Sequence, residues 1–196
     1  GSNISGELLG YAAKELETDK LYFLLKAFLG TQEEDERYAF LADLEGDFTT
    51  GQIIKKSYRR ITGSVAKFNQ NFSKTRHSFD YFYFISHLFR QLGYAGWVLL
   101  FDEAELIGGM GKKARAKSYV EMQRFLRPSP KLEGVFSLFA FSSSYVEDVI
   151  DKKKEFENVE GAFAEDADAL AAARASLNAI QGAPELAPLT REEIEA

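Results

Sequence analysis

Residues 93–109 read GYAGWVLLFDEAELIGG. An apolar run from Trp97 to Phe101 passes directly into Asp102, Glu103 and Glu105. Bounded by glycines, the run is too short for a helix and predicts a strand. It is apolar at every position rather than at alternate ones, so the strand is expected to be buried on both faces. That pattern belongs to a parallel sheet covered by helices. Ligands of such sheets gather at the carboxyl ends of the strands, which is where Asp102 and Glu103 fall.

The flanking sequence extends this α/β expectation. Upstream, SFDYFYFISHLFRQLGY places Tyr81, Ile85, Leu88 and Leu92 on one helical stripe, closed by Gly93. Downstream, LIGGMGKKARAKS reads as a glycine-rich, then basic loop. SYVEMQRFL follows as a helix ended by the prolines of RPSP. GVFSLFAFSSS predicts a second buried strand, and SYVEDVIDKKKEF a helix entered from its serines. The order helix–strand–helix–strand–helix is an α/β signature. Nearer the start, residues 5–29 predict one helix stopped by Gly30. TQEEDERYAFLADLEG predicts another, capped by Thr31 and ended by Gly46. TTGQIIKKSYRRITG predicts a short basic helix, and SVAKFNQNFSKTRHS a loop.

Three regions result. Residues 1–76 form a helical region with a basic segment, and 77–157 an α/β core. Residues 158–196 form an acidic, Ala-rich segment leading to a helical subdomain that Thr190, Glu192 and Glu193 only begin.

Composition narrows the chemistry. The 196 residues are 45% apolar and 28% charged, with a formal charge of −6, enough for a domain with its own core. The chain has no cysteine, which removes disulfides, thiolate zinc sites and thiol catalysis. Two histidines, His77 and His87, do not make a His-rich metal site. No run approaches the ~20 apolar residues of a membrane span, and no secretory signal is visible. A cytoplasmic protein without membrane partners is expected.

WVLLFDEAE matches the apolar strand plus Asp-Glu of the Walker B element in P-loop ATPases. There the Asp holds the magnesium shell and the Glu polarises the attacking water. The structural alternative has Asp102 capping a following helix, with Glu103 in its first turn. The second strand ends in hydroxyls, and Ser142 stands where AAA-related ATPases place a polar sensor of the γ-phosphate. The alternative for Ser142, Ser143 and Ser144 is again a helix cap. A phosphate loop, G-x-x-x-x-G-K-[ST], is missing from these residues. GDFTTGQI has Gly46 and Gly51 at the right spacing, but Gln52 and Ile53 replace the lysine and hydroxyl. GGMGKKA has Gly111-Lys112, but Lys113 follows, and Leu106 stands where the first glycine belongs.

LGYAGWVLLFDEAELI, a helix beginning near RAKSYVEMQRFL, and GVFSLFAFSSSYVED together resemble the P-loop ATP-binding proteins of the BREX type of bacterial phage-resistance system. In that family a helix with aromatic and leucine positions runs into GY.G, an apolar strand and Asp-Glu. SFDYFYFISHLFRQLGY resembles that helix, and IQGAPELAPLTREEIEA the passage towards a final helical subdomain. The resemblance covers about residues 20–196 and is most specific over 77–148. It implies an AAA-like P-loop NTPase domain using ATP and Mg2+. Asp102 would bind the cofactor by holding Mg2+ through water, Glu103 would be the catalytic acid activating water, and Ser142 the sensor. Arg115 falls where relatives carry an arginine after the acidic strand. The family's phosphate loop lies upstream, so the expectation is a C-terminal part of a longer ATPase that is inactive alone. Its partners would be that upstream Walker A segment and other defence-system subunits or further copies of itself.

Two basic clusters remain. Residues 52–76 carry seven bases and no acid, among them Lys55, Lys56, Arg59 and Arg60, with Tyr58, Phe68 and Phe72 interleaved. Such a pattern serves nucleic acid through phosphate contacts and base stacking. The bland alternative is a solvated face with its aromatics packed inward. GKKARAK adds Lys112, Lys113 and Arg115 as a smaller patch facing DNA, a partner or a nucleotide. A non-catalytic nucleic-acid or protein interaction module with P-loop-like architecture is the competing function.

Overall fold

The computed structural model describes residues 3–48 and 51–187, and these are mostly helical. They divide into two compact units. One holds the residues up to Trp97 together with Pro130–Gly134; the other holds Val98–Ser129 and the residues from Val135 onward.

The first unit contains helices α1 (Ile4–Lys14), α2 (Lys20–Gly30), α3 (Glu34–Ala42), α4 (Gly51–Thr62) and α5 (Lys74–Gln91). The single helix expected over 5–29 is therefore two, and the break has a polar cause. The Thr18 N–H donates to Asp80 Oδ2 at 2.7 Å, and the Lys20 N–H to Thr18 Oγ1 at 3.2 Å. Lys20 then carries its ammonium inward to Asp43 at 2.7 Å, 4.3 Å from the centre of the Phe72 ring. The Tyr81 hydroxyl donates to the other Asp43 oxygen at 2.6 Å. Burial pushes the Lys20 ammonium below its ordinary pKa, and the hydrogen bond to Asp43 opposes that shift. Buried charges persist where they are paired in this way.

The stripe predicted on α5 is largely internal. Tyr81 is buried with Leu8, Leu21, Leu25 and Phe84, and Ile85 and Leu88 pack at the margin of this cluster. Leu92 is half exposed, because the helix has already ended. The predicted helix over 31–46 ends at Ala42, and a π-type turn, Asp43–Asp47, completes it. Its N-cap is Glu33 rather than Thr31, and the Thr31 hydroxyl receives the Glu33 N–H at 3.2 Å.

The second unit contains strands β1 (Trp97–Phe101, its first residue belonging to the other unit) and β2 (Val135–Phe139), and helices α6 (Lys112–Leu126), α7 (Glu155–Ala162) and α8 (Ala167–Gln181). The strands pair in parallel as a two-stranded sheet. Helix α6 packs on β2 and against α7 and α8. The core gathers Tyr119, Met122, Tyr145, Ile150, Val159 and Leu177. Phe101 stacks flat on Phe139 at 4.3 Å and meets Phe125 of α6 at 5.1 Å.

The described residues cover one face of the sheet, which corrects the expectation of burial on both. Val98, Leu100, Phe136 and Leu138 alternate outward and are 59%, 73%, 60% and 49% exposed. β1, apolar at every position, thus stands in a half-covered sheet. The loop expected over LIGGMGKKARAKS is also more ordered than its glycines suggest. Ala104–Gly109 is a 3₁₀ helix, and α6 begins at Lys112. The helix expected over SYVEDVIDKKKEF is a π-type segment, Val146–Asp151, broken from α7 by Lys154 at φ 52°. The helix start at Thr190, Glu192 and Glu193 lies outside the described residues.

Candidate functional site

The approach to the acids is built by two glycines. Helix α5 ends in a Schellman motif, in which the Gly93 N–H donates to Arg90 O and the Tyr94 N–H to Phe89 O, each at 3.0 Å. Gly93 takes the left-handed φ of 87° that this motif requires, and Tyr94 packs edge-on against Phe89, 5.7 Å between centres. Three residues on, Gly96 passes so close to Gly134 that a Cβ would collide with the Gly134 carbonyl. Both glycines of GYAG therefore have conformational or steric duties that place the start of β1.

At the other end of β1 the backbone turns sharply. The Ala140 N–H donates to Phe101 O at 2.9 Å, and the Ala104 N–H returns to Ala140 O at 3.0 Å. These bonds lock the carboxyl ends of the two strands side by side. Asp102 and Glu103 occupy the turn between them, and both are exposed. Asp102 Oδ1 accepts the Glu103 N–H at 2.9 Å. Its other oxygen has no partner among the described residues. Glu103 adopts φ 53°, a left-handed conformation uncommon for a residue with a long side chain. Neither acid caps an α-helix. The following 3₁₀ turn has Glu103 as its N-cap without a side-chain bond, and α6 starts nine residues later. The capping alternative for Asp102 and Glu103 does not describe this turn.

Ser142 lies two residues beyond Ala140, exposed, with its carbonyl accepting the Tyr145 N–H at 3.0 Å. Its hydroxyl has no partner among the described residues. Ser144 accepts the Asp148 N–H through its carbonyl at 2.8 Å. No side-chain cap forms at the π-type segment that follows.

Arg115 is turned inward, so it is no part of an exposed basic patch. Its Nε and terminal nitrogen bind Glu155 Oε1 at 3.0 and 2.7 Å, and its other nitrogen donates to Met110 O at 2.7 Å. Glu155 is fully buried, and Asn158 donates to its second oxygen at 3.1 Å. Asn158 also donates to Lys112 O at 3.2 Å, and Lys153 Nζ to Gly108 O at 2.7 Å. The hydrogen bond to Glu155 raises the Arg115 pKa further. Arg115, Glu155, Asn158 and Lys153 thus hold the glycine-rich segment behind the acids. Sequence reading missed Glu155, Asn158 and Lys153, because nothing in KKKEFEN sets a buried Glu apart from its charged neighbours. Lys112 and Lys113 are exposed in the first turn of α6, where the helix dipole adds to their positive potential.

The first basic cluster is split. Arg60 is tied to Glu36 at 2.6 Å and to Thr31 Oγ1 at 3.0 Å, and the Ser57 and Thr31 hydroxyls also donate to Glu36. Burial alone would raise the Glu36 pKa, but the hydrogen bonds from Ser57, Thr31 and Arg60 together lower it. Lys55, Lys56 and Arg59 are exposed and make no ion pair among the described residues. The interleaved aromatics turn inward. Tyr58 and Phe68 pack on Phe23, and Phe72 on Phe48 and Tyr81.

Among the described residues no group of three or more His, Asp or Glu converges as a metal cage. Mg2+ does not need one, because it keeps several waters and is held by one or two carboxylates plus phosphate oxygens. The exposed Asp102, with one oxygen open, fits that requirement. No described helix is long and apolar enough to cross a membrane. Neither the curated proteins nor the solved structures yield a match to this chain. The family model described as BREX system ATP-binding protein BrxC/D matches residues 20–182, and the chain belongs to that family.

Proposed function

We propose that this member of the BREX system ATP-binding family contributes the magnesium and water half of an ATPase site in phage defence. In this reading the phosphate-binding loop is supplied by a segment outside these 196 residues. The observation that carries the reading is the turn at the end of β1. Two exposed carboxylates stand at the carboxyl edge of a parallel sheet, one with an open oxygen and the other held at φ 53°. Backbone strain of this kind collects at functional sites.

Bound with ATP, Mg2+ would supply the positive charge that stabilises charge developing on the transferred phosphoryl group. Asp102 would hold it through a water, using the oxygen that Glu103 N–H leaves free. Glu103 would orient the attacking water and accept its proton. Its side chain is exposed and makes no cap bond to the 3₁₀ helix that follows. The free Ser142 hydroxyl, at the end of the neighbouring strand, would contact the γ-phosphate. Arg115 and Glu155 take no part in the chemistry; they fix the segment that follows the acids.

The outward sheet face supports a strand–loop–helix segment as the missing half. Parallel sheets occur with both faces covered, and Val98, Leu100, Phe136 and Leu138 offer an apolar bed for a helix. The competing interaction-module reading draws on the missing phosphate loop in these residues. The two separate on nucleotide chemistry. ATP turnover is measured for this chain with a phosphate-loop segment supplied, either fused or as a separate polypeptide. Turnover that falls about 10²-fold or more in Glu103→Gln, with Mg-ATP binding retained, supports catalysis. Turnover indifferent to Glu103→Gln contradicts it.

A further inference from the structure

The bases of α4 lie outside the ATPase reading and form a cluster of their own. Ile54 and Ser57 bury the inner face of the helix. Its outer face carries Lys55, Lys56 and Arg59, which with Arg60 and Val65 line an open groove of about 620 Å³. Lys55 and Arg59 are one turn apart, so they share a face and present a row of cations. Arg60 is already engaged by Glu36, whereas the other three meet no carboxylate among the described residues. The Lys55 ammonium also lies over the Phe68 ring, 4.8 Å from its centre, a weak cation–π attraction that places the charge without pairing it with an anion.

We infer that this groove binds the phosphate backbone of duplex nucleic acid without reading sequence. Three observations favour that ligand. The chain carries a net charge of −6, while residues 52–76 hold seven bases and no acid, so a polyanion is repelled by the chain at large and attracted here. The aromatics that would have served single strands, Tyr58, Phe68 and Phe72, are committed to Phe23, Phe48 and Tyr81. Single-strand binders rely on such rings as stacking platforms. Without one, the attraction follows phosphate density, and a duplex carries one charge per ~1.7 Å of axis. The lining is four bases and one valine, so its polar groups are all cationic donors suited to phosphate oxygens.

The test is fluorescence anisotropy with a random-sequence duplex, in the absence of nucleotide and over a range of salt. The wild-type chain should bind the duplex more tightly than a single strand of equal length. Lys55→Ala/Lys56→Ala/Arg59→Ala should lower the slope of log affinity against log salt by roughly 0.9 per lost contact, so by about 2–3 in all. Lys56→Glu alone should weaken binding severalfold, and its unchanged circular dichroism would exclude misfolding as the cause. Lys14→Ala/Arg127→Ala, a control with exposed bases outside both basic clusters, should leave binding unchanged. The inference is overturned if the wild type does not bind duplex at low salt, or if the triple variant binds as well as the wild type. It is also overturned if a single strand binds more tightly, if a polyglutamate peptide competes equally at the same charge, or if the Lys14/Arg127 control loses as much affinity. ATP plays no part in these outcomes, so they stand apart from the catalytic reading.

Discussion

Glu103 carries a conformational cost that the turn itself does not need. Its φ of 53° is one that L-residues adopt at about 1–2 kcal/mol, and only glycine adopts it freely. A residue selected for the turn would be Gly or Asn. Glu103→Gly should therefore stabilise the fold, by up to about 1 kcal/mol after glycine's added entropy in the unfolded chain. Urea midpoints check this, and a lower midpoint for Glu103→Gly would show that the carboxylate serves the fold. The place of Asp102 at the end of β1 was legible at this scale from the strand pattern alone. The backbone angle at Glu103 was not, because no neighbouring residue announces a left-handed turn.

At the scale of elements, the clamp behind the acids is the main addition to what the sequence conveyed. Glu155 on α7 and Arg115 on α6 form a buried pair that also grips the Met110 carbonyl. Glu155→Ala leaves Arg115 buried without its counterion and should cost about 3–5 kcal/mol. Replacing both, Arg115→Met with Glu155→Leu, should cost far less, because no unpaired charge remains. Thermal melting of the two variants distinguishes a paired-charge role from simple packing. Equal losses would contradict it.

The alternation of helices and strands from residue 77 onward was legible, since stripe and run lengths differ plainly between Tyr81–Leu92 and Trp97–Phe101. The break between α1 and α2 was not. It depends on Asp80, which is 62 residues from Thr18 in the chain. Nor was the inward turn of Arg115, because an arginine among lysines reads as one more surface base.

Over the whole molecule, the family match spans most of the chain, yet the proposed chemistry rests on a few exposed groups at one sheet edge. The same sheet shows how composition misleads about burial. WVLLF is apolar enough for a strand covered on both faces, while the described residues cover one. If the open face receives the phosphate-loop segment, Leu100→Thr/Phe136→Thr should leave helix content intact. Stability should change by no more than about 0.5 kcal/mol, as at other surface positions. The loss would instead appear as failure of that segment to restore ATP turnover. Restoration undiminished in this variant would place the segment elsewhere.

The most direct measurement is ATP turnover by the chain with its phosphate-loop segment supplied, comparing wild type with Glu103→Gln at saturating Mg2+. The account predicts that Mg-ATP binding persists while turnover falls about 10²-fold or more. Turnover equal to the wild type would contradict it.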